Sequence, residues 1–170
     1  MDGAMTPSQV KDYDVALDVL HGAKDAWTQT SITDRISLLD QVKENLMNVA
    51  DAWAKTATRM KQIPEGSPLS GEEWTSGPYA VMSACNGLIL TLRHIEGKAF
   101  LKHLPKRELT TGQLAVKVMP HSIWDHLLLS GVNAEVWMKK GVSVANLPEH
   151  TAIAYDIPPA ARRGKVALVL

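Results

Sequence analysis

Cysteine is almost missing from this chain: Cys85 is the only one in 170 residues. A lone cysteine excludes an intrachain disulfide framework and a zinc site built from several thiolates, and it fits a reducing cytoplasm. Net charge is missing as well. Lysine plus arginine and aspartate plus glutamate both number 18, which removes the electrostatic case for nucleic acid or an anionic membrane as partner and favours self-association. No apolar run approaches the roughly 20 residues that span a bilayer, and residues 1–8 carry no basic patch ahead of an apolar core, so neither a membrane span nor a secretory leader is expected. There is also no glycine-rich phosphate loop, no glycine-flanked serine elbow and no paired-histidine zinc motif.

What the chain does have is the composition of one globular domain. Hydrophobic residues make up 45% and charged residues 21%, enough to bury a core and to argue against disorder. In the first part the apolar residues recur at helical spacing. Thr6, Pro7 and Gln9 open a helix as cap, first-turn proline and capping-box partner, and Tyr13, Leu17, Leu20, Lys24 and Trp27 carry its stripe to an end near residues 27–30. Ser31 and Asp34 cap a second helical stretch with the stripe Ile32, Ile36, Leu39, Val42, Leu46, Val49, Trp53, Ala57 and Met60. This stretch is one long helix, or two stacked ones with Asp51 capping the second; Pro64 and Gly66 end it. Ser70 and Glu73 form a further capping box before a short turn at Trp74. Pro78 then starts a helix with the stripe Val81, Cys85, Leu88, Leu92 and Ile95, stopped at Gly97.

After Pro105 the period changes from 3.6 to 2. Leu114, Val116 and Val118, then Ala134, Val136 and Met138, then Ile153, Tyr155 and Ile157 alternate with their neighbours and predict an antiparallel ribbon, with a turn at Lys139, Lys140 and Gly141. Pro158 and Pro159 break it. The closing run Val166, Ala167, Leu168, Val169 and Leu170 follows a polar turn and reads as a strand buried on both faces, the kind that belongs to a parallel sheet and is followed by a ligand-binding loop and a crossover helix.

No residue qualifies as catalytic, cofactor-binding or metal-ligating. Cys85 sits on an apolar helical stripe, where a thiol packs rather than reacts. His121 and His126 flank Asp125, but a spacing of five puts them on different sides of a helix and no third ligand is at hand. His21, His94, His103 and His150 are isolated. Trp27 and Trp53 lie on core stripes, so packing accounts for them better than a stacking surface does. Lys139 and Lys140 read as a solvated turn.

From Ala16 to Met60 the order of features resembles the amino-terminal region of the aldehyde dehydrogenase superfamily. The carriers are Ala26 and Trp27 at a helix end, the polar residues 28–33, and a helix opening with Asp34, Arg35, Ile36, Ser37, Leu38 and Leu39. The later ribbon, the basic turn and the run from Gly164 to Leu170 are similar to that family's approach to its cofactor-binding sheet. The resemblance implies a mixed α/β fold in three parts. Residues 1–105 are the helical segment, residues 106–161 a β arm for oligomerisation, and residues 162–170 the first strand of a Rossmann-like sheet that this chain does not complete. It further implies NAD or NADP as cofactor of the whole protein, with none bound tightly by this chain. A small aldehyde would be the substrate, with a cysteine nucleophile, a glutamate base and an oxyanion-holding asparagine all beyond Leu170. The expected setting is a cytoplasmic homo-oligomer joined through the arm. Residues 61–68 and the stretch around Trp124 to Ser130 depart from the family pattern and point to a divergent branch. Two other readings stand beside this one: an acyl-thioester reductase on a related scaffold, and a self-sufficient helical association module with a pairing β arm.

Overall fold

The computed structural model describes residues 7–120 and 122–167. Helix α1 spans Pro7–Thr28 and α2 spans Ile32–Met60 without a break, so the second stretch is one helix of 29 residues. The cap expected at Thr6 lies outside the described residues. At the start of α2 the Ser31 hydroxyl accepts the Asp34 amide at 3.0 Å and donates to the Asp34 carboxylate at 2.7 Å, while the acid sits at the positive end of the helix dipole. The far end closes through Gln62, whose φ of 57° is left-handed. The Gln62 and Ile63 amides donate to the Arg59 and Thr58 carbonyls, the hydrogen-bond pair that terminates many helices, and Pro64 follows just beyond.

The helix α3 (Ser70–Trp74), a wide turn over Thr75–Tyr79 and α4 (Ala80–Arg93) form one continuous helical path. Two expectations are corrected here. Ser70 is inside α3 and its hydroxyl donates to the Ser67 carbonyl at 2.8 Å. Glu73 turns inward, is buried and pairs with Lys61 at 2.7 Å, so no capping box forms; that contact holds the Lys61 ammonium above the usual lysine pKa range. Pro78 does not start a helix but sits within the wide turn. It has no N–H to give, and the ladder opens by one residue around it. The turn packs on α2, with Gly77 so close under the Trp53 indole that a β-carbon would sit 3.3 Å from the ring.

α4 lies on the face of α2 that carries Leu46, Ala50 and Ala54. The small Ala50 and Ala54 leave room for the buried Cys85, Ile89 and Leu92. Leu88, expected in the stripe, is exposed, as are Val42, Val49, Trp53 and Met60 of α2.

The remaining strands are β1 (Lys106–Glu108), β2 (Leu114–Met119) and β3 (Ala134–Trp137), an antiparallel sheet in the order β1-β2-β3. Lys106 faces Val116 and Val116 faces Val136, and the register slips between Lys117 and Met119. The ribbon at 114–119 and 134–137 is present as expected, but Ile153–Tyr155 is a short 3-10 turn. Ala152 just before it adopts a left-handed φ of 53°, which breaks the extended path. The third strand is instead the charged Lys106–Glu108, brought back by a turn in which the Leu109 amide donates to the Gln113 carbonyl and Gly112 supplies a φ of 74°. Between β2 and β3 lies α5 (Ile123–Leu128), capped reciprocally by Ser122 and Asp125. Under the sheet, Leu101, Leu114, Val116, Val142 and Leu147 form a core, flanked by Phe100, Leu104 and Met138.

The architecture is thus mixed, largely helical with a small three-stranded antiparallel sheet. Among the described residues no helix is long and apolar enough to cross a membrane. Among the described residues Val166 and Ala167 pair with no strand, and the rest of the expected closing strand lies outside them.

Arg107 on β1 reaches past β2 to hold Glu135 on β3 with two parallel bonds, at 2.9 and 2.7 Å. The hydrogen bond and charge of Arg107 keep the Glu135 carboxyl below its ordinary pKa. A depressed carboxyl stabilises the fold above its unfolded value, about 4.3, and that contribution is lost as pH falls through the folded value. The acid-side slope of stability against pH should therefore be shallower in Glu135→Gln than in the parent, by a small margin because the pair is solvent-screened. Identical slopes in urea titrations from neutral to acid pH would discard this.

Candidate functional site

The turn between α1 and α2 is built around Arg35. Its Nη2 donates to the Trp27 carbonyl at 2.8 Å, which also accepts the Thr30 amide, and its Nε donates to the Thr30 carbonyl at 3.1 Å, so one side chain ties the end of α1 to the turn that follows it. The guanidinium lies 4.7 Å from the centroid of the Trp27 ring, within cation–π range. Trp27 and Arg35, two of the residues that carry the resemblance, are therefore one packed unit.

Residues 159–164 run along the last turn of α1. Gln29 donates to the Pro159 carbonyl at 3.0 Å, and Arg162 reaches the Ile157 carbonyl at 2.9 Å and, more weakly, the Thr28 carbonyl at 3.5 Å. The Gly164 amide donates to the Asp25 carboxylate at 2.8 Å. Gly164 stands there for lack of space: a β-carbon would collide with the Lys24 carbonyl and lie 2.9 Å from the Lys24 β-carbon.

Beside this corner is a cleft of about 670 Å³, walled on one side by Gln29, Ser31 and Ile32 and on the other by Lys98, Asp156 and Pro159. Lys98 is nearly buried and left-handed, with a φ of 53°. Its ammonium donates to the Asp156 carboxylate at 2.6 Å and to the Pro148 carbonyl at 2.5 Å. An ammonium committed to a carboxylate and a carbonyl acts as a strut, tying the segment at 148–156 to the turn that follows α4, not as a base or nucleophile.

The residues weighed from sequence do not gather into a reactive site. Cys85 is buried between α4 and α2. His21, His94, His103, His126 and His150 are exposed, and among the described residues no group of three His, Cys, Asp or Glu is placed to hold a metal ion; His121 is outside them. Lys139 and Lys140 lie exposed in the turn at Gly141. The tryptophans need correction. Trp27 and Trp53 are 54% and 42% exposed, so neither is a core residue: each lends one part of its ring to a contact and leaves the rest open. Trp27 and Arg35 stand in the sequence motif, but nothing there marks their contact, and nothing local marks Lys98 as a strut. Comparison with protein families, curated proteins and solved structures finds no match for the chain.

Proposed function

We propose that this chain is the N-terminal portion of an NAD(P)-dependent aldehyde dehydrogenase-like oxidoreductase of the cytoplasm, inactive by itself. Residues 166–170 open its nucleotide-binding sheet, and the nucleophilic cysteine, glutamate base and oxyanion-holding asparagine come later in the protein. One observation carries the reading. Residues 162–164 are docked on the end of α1 by the Gly164–Asp25 bond and the longer Arg162–Thr28 bond, with Arg162 extended, a placement that suits the lead-in to a sheet. The exposed stripe of Leu38, Val42, Val49 and Trp53 supplies an apolar helix face of the kind that covers such a sheet. The open edge of β3 suits a homo-oligomeric arm. No residue of this chain is assigned to the cofactor.

The test is an assay of the product of the reading frame continued past Leu170, mixed with small aldehydes and either NAD or NADP. Reduced cofactor should form with that product and not with residues 1–170 alone. The same protein given an acyl thioester and reduced cofactor separates the reductase variant of this reading. A continuation without a strand–loop–helix step, or without a cysteine and a glutamate needed for turnover, would sink it. The exposed apolar side chains also favour a second reading, a helical association module; a monodisperse folded oligomer of residues 1–170 in size exclusion would support that one.

A further inference from the structure

Four cations converge where residues 154–165 cross the end of α1. A cleft of about 290 Å³ is walled there by Trp27, Tyr155, Arg35, Arg162, Arg163 and Lys165, and no acidic side chain lines it. None of the four cations joins an ion pair among the described residues. The nearby carboxylates of Asp25 and Asp34 make hydrogen bonds to the Gly164 amide and the Ser31 hydroxyl, and neither forms an ion pair with the four cations. In a chain whose charges cancel, four cations along one cleft are a local excess of positive charge that favours an anion.

The donors are not exhausted. A guanidinium has five N–H groups. Arg35 and Arg162 give only part of theirs to the carbonyls of residues 27, 28, 30 and 157, and Arg163 gives one nitrogen to the carbonyls of Ala160 and Arg162. The cleft also has an aromatic side. Trp27 has one ring face under Arg35 and 54% of its surface open, and Tyr155 is 37% exposed. The space lies just below the usual range for organic ligands, so a phosphate group would sit in the cleft with its attached rings partly outside it.

We infer that this cleft binds a nucleoside phosphate, its phosphates held by Arg163, Lys165 and the free guanidinium N–H groups of Arg35 and Arg162, and its base against Trp27 and Tyr155. The inference is independent of the aldehyde dehydrogenase-like reading. It is tested by calorimetric titration of the chain with ADP, pyrophosphate and adenosine. ADP should fill one site, bind more tightly than either part, and weaken as salt is added. Arg163→Gln with Lys165→Gln should weaken it roughly tenfold or more, with the circular dichroism of the chain unchanged. Lys139→Gln with Lys140→Gln, which removes an equal charge from a distant turn, should leave it unaltered. Absence of saturable ADP binding, pyrophosphate binding as tightly as ADP, or equal weakening by the two double substitutions would each overturn the assignment. So would tighter binding of a single-stranded oligonucleotide at the same residues, which would mark a nucleic-acid surface instead.

Discussion

Replacing Leu147 by alanine is expected to lower the free energy of unfolding by about 2–5 kcal/mol, the largest loss of any single truncation considered for this chain. Leu147 is 2% exposed and sits in the core with Leu101, Leu114, Val116 and Val142. That core is small, so neighbours have little freedom to refill a cavity, and the upper part of the range applies where a site cannot collapse. A second consequence follows from position. Pro148, the next residue, accepts the Lys98 ammonium, so a loosened residue 147 also loosens the strut across the large cleft. Urea denaturation checks the first effect, with Leu127→Ala as control. Leu127 is 67% exposed on α5, and its truncation should change stability by no more than about 0.5 kcal/mol. Equal losses for the two variants would mean that the core under the sheet is not the one described.

The contrast between Leu147 and the two long helices shows what a sequence of this kind discloses. Ser31 and Asp34 were readable as the start of α2 because a cap is a local event: donor and acceptor are three residues apart, and no distant residue has to cooperate. The choice of face was not local. Leu88 and Ile89 fit a 3.6-residue period equally well, and only Ala50 and Ala54, more than thirty positions earlier, decide that Ile89 turns inward. The strands divide in the same way. β2 alternates apolar residues and was legible, whereas Lys106, Arg107 and Glu108 carry no strand signal and are recruited by the turn at Gly112 and by the Arg107–Glu135 bonds. The alternation at Ile153, Tyr155 and Ile157 was genuine but too short to outweigh a left-handed Ala152 and two prolines. At the candidate site, Trp27 and Arg35 were legible as a motif but not as a contact. The geometry that holds Gly164 could not be read at all, since its partner lies 139 positions away.

That distant partnership makes Gly164→Ala the substitution with the most to say about function. The added methyl group meets the backbone of Lys24, and backbone in a helix cannot swing aside as a flexible side chain would. Either the end of α1 or the segment at 159–165 must move, at a cost of about 1–3 kcal/mol, and the segment is the weaker partner because it is held by a few exposed hydrogen bonds. Amide exchange should therefore rise across 159–165 while β2 and α4 keep their protection. Asp25→Ala removes only the acceptor of the Gly164 amide, and its effect should be smaller, about 1 kcal/mol or less. If the two variants behaved alike, the missing β-carbon would be irrelevant and the segment would be held by its hydrogen bonds alone. If neither altered exchange at 159–165, the segment would not be docked on α1. The docking of residues 162–164 on α1 would then be lost as physical support for a sheet beginning just after them.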